Sequence, residues 1–204
     1  MRTEAVHDCI LLAAGGSTRL GQPKQLLRRQ AETLIHRCAR LAQSTLPKRL
    51  LIVVAAEAAN IRAALTDIDA ELIENSDWQR GLSGSLQLAV RQLANTERSC
   101  LLLGCDQPAL ELAHLKALLA ASAVAASGCA ALSHQGMAGL PAVVSPQLLK
   151  TACALQGDSG LRAALRALPH ADIALLDFPE LQTDIDDAED LAAAIRAGWI
   201  DANP

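Results

Sequence analysis

The sequence predicts a mostly parallel α/β fold, one sheet with helices on both faces, and three observations carry that expectation. Short apolar runs are continuous rather than alternating, as in strands buried on both faces. Between them lie longer segments with apolar residues at helical spacing. Each apolar run ends in Gly, Asp or Glu, where a sheet edge hands over to a loop.

In chain order, "CILLAA" (9–14), "LLIVVAA" (50–56) and "CLLLG" (100–104) read as buried strands. The segment "ETLIHRCARLAQ" (32–43) sets Leu34, Ile35, Cys38 and Leu41 on one helical face, and "NIRAALTDI" (60–68) and "SLQLAVRQLA" (85–94) repeat the pattern. Strand and helix in alternation imply right-handed crossovers. Beyond Pro108, "ELAHLKALLAASA" (111–123) is helical. The runs "CAALS" (129–133) and "LPAVVS" (140–145), joined by the turn "HQGMAG", form a hairpin with Pro141 near a sheet edge. Helices follow at 145–155 and 159–168, separated by the turn "QGDSG", then a strand "DIALLDF" (172–178). The closing helix "DDAEDLAAAIRAG" (186–198) carries its acids in the first turn, where the helix dipole favours them.

With 204 residues and no repeat or linker, residues 1–204 are expected to form one domain. Only 1% of residues are aromatic against 51% hydrophobic, so the core is aliphatic and offers no stacking platform for bases. A net charge of −4 with no basic arm argues against nucleic acid as partner. The N-terminal apolar run is too short for a membrane span and has acidic flanks, so neither membrane attachment nor a signal peptide is expected and the location is cytoplasmic. Six cysteines without a Cys-x-x-Cys pair read as small buried hydrophobes. The histidines lack metal spacing, and no serine has the context of a nucleophile elbow.

The stretch "LLAAGGSTRLGQPKQLL" (11–27) changes abruptly from apolar to flexible and cationic. Gly16 and Gly21 have P-loop spacing, but Gln22 and Pro23 follow where Lys and Ser or Thr belong, so this is not a Walker A motif. Glycines after a strand let main-chain N–H groups close on a polyanion, while Arg19 and Lys24 supply charge. Without further context a Gly-rich turn with two solvated cations remains an open alternative. "LLLGCDQPAL" (101–110) ends a strand in Asp106, a hard oxygen donor suited to Mg²⁺ or a cap for the helix after Pro108.

These two segments resemble the MobA-like nucleotidyltransferases, a glycosyltransferase-A-like, Rossmann-like family. The Ala-Ala-Gly form is similar to the molybdenum cofactor cytidylyltransferases within it. The resemblance implies that Leu12, Ala13, Ala14, Gly15, Gly16, Ser17, Arg19 and Lys24 bind the nucleotide, with Gly81 and Ser85 from "NSDWQRGLSGSLQLAV" (75–90) shaping its pocket. Trp78 in that segment reads by itself as core packing more than ligand contact. Lys24, Arg19 and Asp106 would be catalytic, and Asp106 with Asp186 of "TDIDDAEDL" would hold Mg²⁺. Asp187 and Ala188 depart from the family's Thr-Pro.

"GLPAVV" and "GDSGLR" are similar to the acceptor-side motifs, implying Gly139, Pro141, Asp158, Gly160 and Arg162 as acceptor contacts. Leu140 departs from the His or Asn common between that Gly and Pro. Residues about 1–110 would then be the nucleotide half and about 111–204 the acceptor half. The implied reaction transfers CMP from CTP to the phosphate of a molybdopterin-type cofactor, with a molybdoenzyme or delivery protein as possible partner. Another CTP- or GTP-dependent nucleotidyltransferase, or a cofactor-binding protein without catalysis, would share much of this pattern.

Overall fold

The computed structural model describes residues 6–55, 58–93, 96–151 and 160–202. Nine strands and seven α-helices appear among them. In order these are β1 (His7–Ala13), β2 (Arg28–Arg29), β3 (Glu32–Thr33), α1 (Leu34–Gln43), β4 (Leu50–Ala55), α2 (Ala59–Ala63), β5 (Glu71–Asn75) and α3 (Leu82–Gln92). There follow β6 (Ser99–Leu103), α4 (Leu112–Ser122), β7 (Ala130–His134), β8 (Met137–Val144), α5 (Pro146–Thr151), α6 (Gly160–Arg166), β9 (Ala174–Leu176) and α7 (Ala188–Arg196).

Seven strands form one sheet in the order β5-β4-β1-β6-β8-β7-β9, and β2 pairs only with β3. β1, β4, β5 and β6 are parallel, and β8 runs antiparallel to both β6 and β7. The expected mostly parallel sheet is present. Every residue of β1 is buried because its side chains alternate between two cores. Cys9, Leu11 and Ala13 join one face, covered by α1 and α4 residues such as Ile35, Cys38, Leu115 and Leu118. Ile10 and Leu12 join the other, with Leu86 and Val90 of α3 and Leu161 and Leu165 of α6. The five described cysteines are buried and free, and Cys153 lies outside the described residues.

Three expectations are corrected. The hairpin of β7 and β8 forms, but β8 lies inside the sheet, so Pro141 is not at an edge. An interior proline is tolerated because both ladders skip Leu140 and Pro141: β6 pairs only as far as Ala142, and β7 shifts register between Ala131 and Leu132. The 60–68 helix is shorter, ending at Ala63. β5 was not expected at all, since it is a half-exposed edge strand whose Glu71 and Glu74 hide the apolar run.

The turn that leads from the Gly-rich stretch into α1 is anchored by Glu32. Its carboxylate accepts two 2.8 Å hydrogen bonds from Arg40 and lies 2.6 Å from His36 Nδ1. The Arg40 bonds, opposed by burial and assisted by His36, hold the Glu32 carboxyl down at about 2. An acid with a depressed native pKa contributes stability above its unfolded value and loses it as pH falls. Glu32→Gln is therefore expected to lower stability by about 1–2 kcal/mol at neutral pH. In urea titrations the deficit should shrink from about pH 4.5 down to pH 2; a deficit independent of pH would contradict the ion-pair assignment.

Candidate active site

The carboxyl ends of β1 and β6 lie side by side because the two strands are parallel neighbours, and an α/β sheet gathers ligands at that edge. From β1 the chain enters the Gly-rich loop, and a short 3₁₀ turn, Lys24–Leu26, brings it back beneath the same edge. Asp106 follows β6. Asp186 arrives from the far end of the chain, pinned by the Ile185 N–H, which donates to the Asp106 carbonyl at 2.9 Å. Asp187 then caps α7, accepting from the N–H groups of Glu189 and Asp190.

These three segments meet at the Lys24 ammonium. It donates to Asp106 Oδ2 at 3.1 Å, Asp186 Oδ1 at 3.0 Å and the Ile185 carbonyl at 3.2 Å, which uses all three of its protons. Arg19 Nη2 adds a 3.0 Å ion pair to Asp186 Oδ2. Burial works against the Lys24 charge, but Asp106 and Asp186 outweigh it and raise its pKa. Burial likewise opposes ionisation of Asp186, and Lys24 and Arg19 reverse that, holding its carboxyl below the usual range. Lys24 and Asp186 are therefore both charged at neutral pH.

Beside this cluster opens a cleft of about 420 Å³. Leu12, Ala13, Ala14, Gly15, Gly16, Lys24 and Gln25 line it from the loop after β1, Gly81 and Ser85 from the start of α3, and Asp106 from the end of β6. The structure thus gathers most of the nucleotide-side residues singled out in the sequence, while Ser17 and Arg19 do not line the cleft. Ser17 Oγ accepts from the Lys24 N–H at 3.1 Å. Gly81, at φ +99° and ψ 175°, occupies a backbone region open in practice to glycine alone. Ser85 is buried and its Oγ accepts from Asn75 Nδ2 at 2.9 Å.

Four further residues were not assigned a role from the sequence. Trp78 packs on the core under α3 and also lines the cleft, resting directly on Gly16. Gln25, next to Lys24, is buried beneath the loop. Gln107 Nε2 donates to the carbonyls of Leu140 and Leu181, tying the loop after Asp106 to the acceptor-side strand β8. Asp184 is held up at about 7 by burial and by the Asp106 charge, against the charge of Arg162. Only the D-Q-P run and the repeated acids of 183–191 hinted at the last two. Cys105 also lines the cleft, but burial pushes its thiol up and leaves it un-ionised.

The acceptor-side residues are looser. Gly139 and Pro141 lie on β8, with the His134 ring against Gly139. Gly160 starts α6 and Arg162 is exposed in its first turn. Asp158 lies outside the described residues.

Asp106 and Asp186 converge on one cation position, and a pair of hard carboxylate oxygens fits a divalent ion such as Mg²⁺. Among the described residues no group of three or more His, Cys, Asp or Glu side chains is placed to hold a metal. Such an ion would need phosphate oxygens or water to complete its shell, as Mg²⁺ does in sites shared with a nucleotide.

Residues 9–173 match the MobA-like NTP transferase domain. The molybdenum cofactor cytidylyltransferase of Escherichia coli (strain K12) is 27% identical over 188 residues, 92% of this chain and 94% of the relative. The bifunctional protein GlmU of Synechococcus sp. (strain JA-3-3Ab) is 32% identical over 111 residues, 53% of this chain but 18% of its own length. Among solved structures, a nucleotidyl transferase from Methanothermobacter thermautotrophicus superimposes with a TM-score of 0.77 at 23% identity, covering 95% of this chain and 97% of that one. Rv0371c from Mycobacterium tuberculosis H37Rv, solved as a complex with manganese, does so with 0.76 at 21% identity, covering 94% and 99%. These structural likenesses establish a shared fold.

The contact between Trp78 and Gly16 is directly testable. A methyl group on Gly16 would overlap the indole, so Gly16→Ala should cost about 1–3 kcal/mol and change the tryptophan emission. Adding Trp78→Ala should remove most of that added cost in a double-mutant cycle. Strict additivity of the two substitutions would show that they do not touch.

Proposed function

The chain belongs to the MobA-like NTP transferase family, and from that membership we propose that it transfers CMP from CTP to the phosphate of a molybdopterin-type cofactor, releasing pyrophosphate. The observation that carries the reading is the meeting of Lys24, Asp106 and Asp186, with Lys24 and Asp106 lining the Gly-rich cleft. The nearly full-length match to a molybdenum cofactor cytidylyltransferase supports the choice of base and acceptor. We assign the protein to the cytoplasm, with nucleotide binding in residues about 1–110 and acceptor binding in about 111–204 of one domain; a molybdoenzyme or delivery protein would take the product.

In this mechanism an oxygen of the acceptor phosphate attacks the α-phosphorus of CTP in line. A P–O bond forms to the acceptor as the bond to the bridging oxygen of the β-phosphate breaks, and pyrophosphate leaves with that electron pair. Phosphate is already ionised at neutral pH, so no general base is required. Loop N–H groups from Ala14 to Ser17 face the phosphates, and Arg19 and Lys24 neutralise them. Asp106 and Asp186 would hold Mg²⁺, which when bound supplies charge stabilisation to the phosphoryl oxygens. Arg162, with its planar fork, is assigned to the acceptor's phosphate, beside Gly139, Pro141, Asp158 and Gly160.

Calorimetric titration tests the reading: CTP with Mg²⁺ should bind more tightly than GTP or ATP, and EDTA should weaken the interaction sharply. A preference for GTP would reassign the base. Turnover should fall by about 10³-fold or more in Asp106→Ala without loss of fold. Lys24→Ala should raise KM for the triphosphate and lower kcat together, and near-parental values for either variant would remove that residue from the mechanism.

A further inference from the structure

Gln25 is 2% exposed, a polar side chain buried in the 3₁₀ turn that also carries Lys24. Its Nε2 donates to the carbonyl of Ala13 at 2.9 Å and to that of Gly15 at 2.7 Å. Its Oε1 is buried with no hydrogen-bond partner among the described residues. An orphaned buried acceptor is destabilising, so the two hydrogen bonds this glutamine donates come with a partly offsetting cost.

What that expense obtains follows from peptide geometry. In a trans peptide the C=O and the next residue's N–H point in opposite directions. Drawing the carbonyls of Ala13 and Gly15 toward Gln25 therefore turns the N–H groups of Ala14 and Gly16 away from it. Ala14 and Gly16 both line the cleft. The Lys24 N–H bond to Ser17 Oγ fastens the next part of the loop to the same turn.

We infer that Gln25 is a positioning residue, which staples two loop carbonyls inward and so aims the Ala14 and Gly16 N–H groups at the phosphates of the bound nucleotide. This rests on the nucleotide reading given above. Gln25 lines the cleft as well, but with only 2% of its surface exposed it acts through the loop backbone. It preorganises two neutral donors, so that no reorientation is needed when the anion arrives. The same turn sets Lys24 between the carboxylates, so charge and dipoles on this wall share one short support.

Gln25→Leu keeps the bulk while removing both the donor and the orphaned acceptor, and Gln25→Glu keeps the shape while removing the donor and adding a negative charge. Titrating each with CTP in Mg²⁺ and with inorganic pyrophosphate should give affinities roughly tenfold or more weaker than the parent, with Glu the weaker of the two. Gln25→Leu removes one orphaned acceptor but takes the donor from two carbonyls, so its melting temperature should change far less than its affinity, a split between binding and stability that a purely structural role would not produce. In ¹⁵N-labelled protein, the Ala14 and Gly16 amide resonances should differ between parent and Gln25→Leu before any ligand is added.

Parental affinity in Gln25→Leu would overturn the positioning role. Unchanged amide resonances would show that no staple exists, whatever the ligand. Failure of the parent itself to bind CTP or pyrophosphate would overturn the nucleotide reading and the ligand assigned to these amides, while leaving the resonance comparison to judge the staple.

Discussion

The Lys24 ammonium, set between Asp106 and Asp186, is the contact on which the site depends. The three residues lie 82 and 162 positions apart along the chain, and each is delivered by a different part of the fold. β1 and β6 bring Lys24 and Asp106 to one edge, while a small cluster of Leu27, Leu34, Ile185, Ala194 and Ile200 seats the segment that carries Asp186. Two carboxylates at this range repel when nothing positive lies between them. Lys24 fills that position, and because burial alone would discourage its charge, each member of the cluster requires the others.

Around that contact the architecture divides labour. The strands contribute almost no polar side chains to the site; their apolar residues build two cores and hold their ends in register. Chemistry enters where the strands stop. The Gly-rich main chain lines the cleft after β1, side chains supply charge after β6 and before α7, and Gly81 lets the chain turn into α3 beside the same cleft. Gln25 and Gln107 connect these parts from beneath, each donating twice to backbone carbonyls. Such buried polar links are costly when incompletely satisfied, as Gln25 is, and their placement under the cleft marks where rigidity matters.

β1, β4 and β6 were legible in the sequence because strands buried on both faces leave unbroken apolar runs. β5 was not, since an exposed edge strand carries Glu71 and Glu74 among its apolar residues. Pro141 misled because proline is excluded from ladders, and no local pattern announces a place where two ladders both lapse. The site followed the same logic. Lys24, Asp106 and Asp186 were recognisable through the motifs around them, because separations of this length carry no periodic signal. Gln25 and Asp184 stood beside those motifs with nothing in their own spacing to single them out, and the dual placement of Trp78, on the core and on Gly16, exists only in three dimensions.

The central claim is that Asp106 and Asp186 form one cation position, which Lys24 fills in the nucleotide-free protein. Titration of Mn²⁺ into nucleotide-free Lys24→Met, followed by the loss of the free-ion electron paramagnetic resonance signal, addresses it most directly. The account predicts that this variant binds Mn²⁺ more tightly than the parent, and that adding Asp186→Asn abolishes the gain. Equal Mn²⁺ affinity in Lys24→Met and the parent would contradict a shared cation position.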